Sequence, residues 1–590
     1  MSGKRSKSPV SENTLINIVQ TAGLNFRSDS DSEHSSNVDS SDSDQQSSND
    51  FIDDTDEDPN YDPYQPSTST GLQRGKIKLP ISSRNQPDVS SSDSEVDETP
   101  PRHRPNLSVP KRRRRCTVSL ERTGASQNVP QNDTTDNQNV PQNDPADDDD
   151  SSWDEVEEGN DPPYNHQFTF SEVSGPKHCP PQNSKPIEYI KLFFTTAILN
   201  VFVTETNRYA RNYIADNEQT LSPFSRVRKW VDVTLAEMKA FLAIILNIGM
   251  INKPSIASYW DTHFTQSTPF FGKVMTSNRF ILLLKFFHIV DVTKLVPHGN
   301  PGYDPCGRFQ PIIDHANRVF KLHYKPTKAL SVDESLVGTK KTNWTYSVPA
   351  KKKKHHKWGI KLWVLCDSIT HYCVSFYCYK GAQRSEENER VVETGLGGTV
   401  VMTSLRMANC LGKGHHMFLD NFFTSIALAR TLYSHQTFVT GTIRKDRKGI
   451  PKQLLGKYAV GQKTYVRKGP MLIMAHREKK SNSSQFLILS TDCQAASDTY
   501  SIRRSGRLLI KTKTKIAHQY NRGMGGIDST DQMLYVYMDE RRTMKHAKKV
   551  IFNLFGRMVL NAFILYKLNT TERRLRRSDF MKEIVGELAS

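Results

Sequence analysis

Eight cysteines are spread over 590 residues, at positions 116, 179, 306, 366, 373, 378, 410 and 493, and no two of them make a C-x-x-C pair. That absence argues against a zinc ribbon or a dithiol redox centre, and it fits reduced thiols inside a cell. Histidines 355, 356, 415 and 416 do not stand at zinc-ligand spacing with the cysteines either, so no zinc site is expected. The N-terminus lacks the apolar core of a secretion signal, and no uncharged run approaches the ~20 residues of a membrane span. The expectation is a soluble protein that is not secreted.

Negative charge is scarce in one part of the chain and abundant in the other. Residues 1–180 hold 33 Asp and Glu against 17 Lys and Arg, a net of −16, whereas 181–590 hold 30 against 63, a net of +33. With a mean hydropathy of −0.60, not all of this length can pack into cores. A folded part so basic fits a polyanionic partner, with nucleic acid the leading candidate.

Residues 1–182 read as a disordered acidic tail. Stretches such as "SDSDSEHSSNVDSSDSD" and "DDDDSSWDEVEE" offer little to bury, and "QNVPQND", which occurs twice, is a low-complexity duplication. Inside the tail, "PKRRRR" places Lys111, Arg112, Arg113, Arg114 and Arg115 together, the pattern of a nuclear-import signal or of a phosphate-binding arm; the acidic flanks would repel DNA and favour import, which suggests the nucleus.

Residues 183–325 look helical. "VTLAEMKAFLAIILNIGM" opens with Thr234 and Glu237 in capping-box relation, Ser277 is a candidate cap for "TSNRFILLLKFFHIVD", and "PIIDHANRVFKLHYKP" runs between Pro311 and Pro326. The pattern predicts four helices, the first of them carried by "KPIEYIKLFFTTAILNVFVTETNRYA".

From Lys328 the period changes to that of strands. "KALSVDESLVG", "KWGIKLWVLCDS" and "HYCVSFYCYKG" are followed by a helix in "GTVVMTSLRMANCLG", a strand in "HHMFLDNF", a helix in "FTSIALARTLYS" and a strand in "FVTGTIRK". That order is the order of a ribonuclease-H-like mixed α/β sheet. The first strand carries Asp333 in an otherwise apolar setting, where an ionised carboxylate needs a partner or a metal. The fourth, beside the first in such a sheet, ends at Asp420. Two adjacent carboxylates repel unless a hard divalent cation lies between them. Farther on, "NRGMGGIDSTDQML" supplies Asp528 and Asp531 three residues apart, on one face if a helix starts there, after a glycine pair that permits close approach to the sheet.

These motifs are recognisable in combination. "LSVDESLVG", "FLDNFFTS", "GTIRKDRKGIP" and "GGIDSTDQM", with "WVDVTLAEMKAFLAIILNIGM" and "YWDTHFTQSTPFFGKVMTSNRF" upstream, resemble the piggyBac family of cut-and-paste DNA transposases over about residues 183–570. The resemblance implies a ribonuclease-H-like core with a DDD triad at Asp333, Asp420 and Asp528, Asp531 being a further acidic residue of the site. It implies two Mg²⁺ or Mn²⁺ ions, and we expect Asp333 to bridge both while Asp420 and Asp528 bind one each. It also implies strand nicking, hairpin formation and joining into TTAA targets.

The implied organisation is a helical dimerisation and DNA-binding domain at 183–325 and the first part of the core at 326–444. A β-rich insertion domain follows at 445–512, then completion of the core with further DNA-binding helices at 513–570 and a C-terminal tail at 571–590. The implied partners are DNA and a second copy of the chain. Basic runs fall where a DNA channel would need them: Lys351, Lys352, Lys353 and Lys354; Arg444, Arg447 and Lys448; Arg541, Arg542, Lys545, Lys548 and Lys549.

Two departures from the family stand out. Most members end in a cysteine-rich zinc-binding region, whereas this sequence has no cysteine after Cys493 and stops at Ser590; His546 stands where a tryptophan is usual. Three readings follow: a DNA transposase; a domesticated, transposase-derived nuclear protein that binds DNA or chromatin without moving it; and a metal-dependent nuclease of another lineage.

Overall fold

The computed structural model describes residues 153–338, 347–349, 358–380, 394–479, 484–504, 507–538 and 546–590. Its first elements are two short strands, β1 (Asp154–Val156) and β2 (Gly175–Pro176). Helices follow: α1 (Pro186–Phe193), α2 (Thr196–Asp216), α3 (Leu235–Met250), α4 (Pro269–Val274), α5 (Ser277–Phe286) and α6 (Gln310–His323).

The run expected to form the first helix is broken into α1 and α2, which meet at a 61° bend. Thr195 causes the break, because its hydroxyl accepts the Ile198 amide and starts a new helix. At α3 the expected cap is present, with Thr234 Oγ1 accepting from the Glu237 amide at 3.2 Å. Glu237 does not close the reciprocal half of the box; its carboxylate takes Arg279 of α5 in two bonds of 2.5 and 2.6 Å. A cross-helix ion pair has replaced a local one. For α5 the cap is Thr276, one residue before the expected Ser277.

After the short strand β3 (Tyr324–Lys325) come β4 (Ala329–Gly338), β5 (Ser347–Pro349), β6 (Trp358–Asp367) and β7 (Cys373–Cys378). Then follow α7 (Gly395–Ala408), β8 (His416–Leu419), α8 (Ile426–Ser434) and β9 (Phe438–Ile443). β6 is antiparallel to both β4 and β7, while β8 lies parallel to β4 on one side and to β9 on the other. This is the mixed sheet that the alternation of strands and helices predicts.

Residues 445–512 hold β-strands, and three of these strands extend the same sheet. β10 (Lys463–Lys468), β11 (Met471–His476) and β12 (Phe486–Ser490) form an antiparallel meander, and β12 pairs with β9. β13 (Ser497–Arg504) and β14 (Arg507–Thr514) pair only with each other among the described residues.

The chain then returns to the core as α9 (Lys515–Met524), α10 (Gly526–Val536), α11 (His546–Asn569) and α12 (Arg577–Ala589). α11 is long and apolar enough to cross a membrane, but 89 % of that apolar window is buried inside the protein. It is the central core helix, packed against α1, α6 and β4.

One stretch differs from the tail expected over 1–182: residues 153–182 are built into the fold. β1 pairs with β10, and β2 pairs with β3. Between them His166 and Phe168 lie against Tyr433 and Phe438, and buried Asp161 takes Arg467 at 2.5 Å. The aromatic residues that alternate with polar ones in "NHQFTF" supply what the acidic neighbours lack.

Candidate active site

Asp333 lies near the middle of β4, opposite Val364 of β6. Across the sheet, β4 and β8 are in parallel register through Val332 opposite Leu419, so the next residues on the two chains are Asp333 and Asp420. Asp420 sits just past the strand end. Its Oδ1 accepts the Phe422 amide at 2.8 Å, and its carbonyl accepts from Phe423 and Thr424, which turns the chain into "DNFFTS".

The third aspartate comes from α10, and two glycines let this part of the chain settle on the sheet. A Cβ on Gly523 would lie 2.2–2.4 Å from the ring of Phe418 on β8, and one on Gly526 would lie 2.5 Å from Ser331 Oγ on β4. Nothing but glycine fits either place without a shift. Asp528 is in the first turn of α10, where the helix dipole favours negative charge.

The contacts triangulate the site. On β4, Ser331 meets Gly526 and Ser335 Oγ donates to Asp531 Oδ1 at 2.9 Å. Asp333 lies between these two serines at the period of the pleat, so it shares their face, and Asp528 lies between Gly526 and Asp531 on the helix. Phe418, two residues before Asp420, faces the same way. Asp333 and Asp420 are half-buried and Asp528 is exposed.

Tyr520 of α9 lies within the electrostatic reach of all three aspartates. Its phenol is pushed up to about 12, first by burial and then by the negative fields of Asp420, Asp333 and Asp528 together. Nothing in the sequence singled out this tyrosine, which lies on the helix before the one that carries Asp528. Among the described residues, however, no three His, Cys, Asp or Glu side chains stand as a ready-made metal cage. The residue types suit a hard cation.

Asp531 is engaged differently. Its Oδ1 accepts from Arg557 Nη2 of α11 at 2.9 Å as well as from Ser335. Arg557 is fully buried; burial, the largest single influence, would lower its pKa, and the charge of Asp531 with those of Cys373, Tyr535 and Cys366 together raises it.

The basic residues divide. Arg444 and Lys448 are exposed, Arg444 reaching Asn421 Oδ1. Arg447 donates to the carbonyls of Asn421 and Phe422, which braces the turn after Asp420. Lys548 is buried, its ammonium donating to the carbonyls of Leu284 and Lys285 at the end of α5, and Lys549 donates to the Gly338 carbonyl. Both therefore serve the fold. Lys351 to Lys354, Arg541, Arg542 and Lys545 lie outside the described residues, as does the cluster Lys111 to Arg115. His546 begins α11 half-buried, its pKa lowered to about 3 by loss of solvent around the ring and then by the charge of Arg308.

Comparison with known proteins agrees with the fold. A family model described as Transposase IS4 matches residues 185–563. The human PiggyBac transposable element-derived protein 5 is 24% identical over 434 residues, 71% of this chain and 78% of that protein. The human PiggyBac transposable element-derived protein 2 is 24% identical over 410 residues, 66% of this chain and 62% of its own length, so the chain spans less than two thirds of it. A cryo-EM structure of the piggyBac transposase synaptic complex with hairpin DNA superposes with a TM-score of 0.59 at 24% identity, over 71% of this chain and 83% of that one. Fold and matches together define a transposase-type protein. Within that class, the chain belongs to the piggyBac family that its motifs resemble.

Proposed function

We propose that this chain is a piggyBac-type DNA transposase whose ribonuclease-H-like core carries out phosphoryl transfer with Asp333, Asp420 and Asp528 as the metal-holding carboxylates. What supports the reading is the parallel register that brings Asp333 of β4 and Asp420, just past β8, to the same end of adjacent strands, together with the seating of the Asp528 helix against β4 at Gly526.

Magnesium or manganese held there would lower the pKa of an attacking water or 3′-hydroxyl and stabilise the leaving oxygen. The chain's own residues do the rest. β4 and β8 fix Asp333 and Asp420 on a rigid support, and Arg447 holds the turn that follows Asp420. Tyr520, neutral at working pH, offers a hydroxyl donor among acceptors. The exposed Arg444 and Lys448 on the loop after β9 supply positive charge for a DNA backbone. DNA, a second copy of the chain and a nuclear location complete the proposal.

A second reading is favoured by the open arrangement of the carboxylates and by half-buried His546 in the position of the family's tryptophan: a transposase-derived protein that binds DNA without cutting it.

Incubation of the purified chain with DNA carrying candidate terminal repeats and Mg²⁺, with Asp333→Ala as control, separates the two. The enzymatic reading expects nicking by the wild type alone. Binding without nicking by either protein supports the second reading.

A further inference from the structure

Arg557 is a fully buried guanidinium in the middle of the core helix, where an ionised group is expensive unless the fold uses it. Its Nη2 donates to Ser335 Oγ at 2.5 Å and to Asp531 Oδ1 at 2.9 Å, and its Nε donates to Asn553 at 3.1 Å. One nitrogen of α11 thus joins β4 to α10.

The two residues it joins are each one structural repeat away from a proposed metal-holding carboxylate. Ser335 follows Asp333 by two residues on β4, about 6.7 Å along the same face. Asp531 follows Asp528 by three residues on α10, about 4.5 Å along the same side of the helix. A link between the second pair therefore sets the separation of the first. Two other contacts tie α10 to β4, Gly526 against Ser331 at one end and Tyr535 Oη to the Leu336 carbonyl at 2.7 Å toward the other. The Arg557 link lies between them, on the turn that follows Asp528, and it is the ionic one.

We propose that Arg557 is a positioning residue that fixes Asp528 relative to Asp333 through Asp531 and Ser335, and that Asp531 is the counter-ion of this brace and not a metal ligand. The proposal rests on the metal-holding reading given above. An acidic residue beside a carboxylate triad would ordinarily be counted as a fourth ligand. Here its Oδ1 already accepts two donors, one of them a buried cation, and binding a metal through that oxygen would displace them. Ligand-orienting partners of this kind typically change metal affinity 10- to 100-fold when removed, without changing the number of ions bound.

The test uses the full chain with DNA bound. Mn²⁺ titration followed by electron paramagnetic resonance is expected to give unchanged stoichiometry for Asp531→Asn and Arg557→Lys, with affinity lowered about 10- to 100-fold in each. The double variant should be no weaker than the worse single one, because both act through one link. Asn561→Ala is the structural control. Asn561 is buried one turn farther along α11, and its side chain pairs with the Cys373 backbone at 3.0 and 2.9 Å. Its loss should lower the melting temperature and leave Mn²⁺ affinity alone.

Loss of an ion in Asp531→Asn, as in Asp528→Asn, would overturn the proposal. So would equal loss of affinity in Asn561→Ala. Amide exchange tests the brace without metal: in Arg557→Lys the α10 amides should exchange at least 10-fold faster while α1 and α6 are unchanged, and unchanged α10 exchange would overturn it. Should the wild type bind no Mn²⁺, the metal-holding reading fails and exchange alone decides the brace.

Discussion

Gly523 and Phe418 are so close that a Cβ on the glycine would lie 2.2 Å from Cγ of the phenylalanine ring. This contact seats α9 on β8, and α9 leads directly into the helix that carries Asp528. Phe418 has little room to yield, because it is buried and stacked on His416 with ring centroids 4.6 Å apart. Gly523→Ala should therefore cost about 1–3 kcal/mol, the usual penalty of overpacking, seen as a lower urea midpoint. Nicking should fall as well, although every aspartate remains.

Asp367, at the end of β6, is wholly buried and accepts from the Tyr324 hydroxyl, the Thr327 amide and hydroxyl, and the Ile369 and Thr370 amides, at 2.7–3.0 Å. Its carboxylate organises the junction of β3, β4 and β6. Asp367→Ala strands these donors and should destabilise the fold by about 3 kcal/mol or more, measured by urea denaturation. Asp367→Asn, which keeps part of the acceptor set, should cost less.

Acid should weaken the protein in two stages. His415 and His546 are held neutral in the fold, lowered to about 4 and about 3, chiefly by burial. An unfolded histidine titrates near 6.5, so the unfolded chain takes up these protons first. The stability they contribute is complete above pH ~6.5 and is lost as pH falls toward 4, at up to about 1.4 kcal/mol per pH unit for each. Below pH 4 Asp492 takes over. Burial alone would raise it, but the His416 hydrogen bond and the charges of His416 and Lys328 lower it to about 2, and protonation removes that contribution. His546→Phe should flatten the slope of melting temperature against pH between 6.5 and 4, and an unaltered slope would contradict the assignment.

Arg444 and Lys448 are the exposed basic residues of the loop beside Asp420. Replacing both with Ala should weaken DNA binding similarly for all sequences and reduce the salt dependence of log K by about two phosphates' worth. Lys548→Ala should instead lower stability with little change in that slope, because its ammonium serves the end of α5.

The part of the site legible in the sequence was the part written in strand period. Alternation around Asp333 and the strand–helix–strand run to Asp420 were enough to make β4 and β8 neighbours, and the glycines before Asp528 announced a close approach. Arg557 was hidden because a single cation in "FNLFGRMVLNAF" is swamped by its apolar neighbours, although a lone charge there demands a buried partner. Lys548 misled for the opposite reason: a basic run looks solvated, and only packing shows which member turns inward. The strap from Trp153 to Pro176 was masked by its acidic surroundings, since composition averages over a window while packing depends on individual side chains such as His166 and Phe168.

The most direct test is the anomalous scattering of Mn²⁺ in crystals of the chain bound to terminal-repeat DNA. Metal peaks within ligand distance of Asp333, Asp420 and Asp528, with none on Asp531, are the result predicted. Manganese absent from that face, or held by Asp531 in place of Asp528, would contradict it.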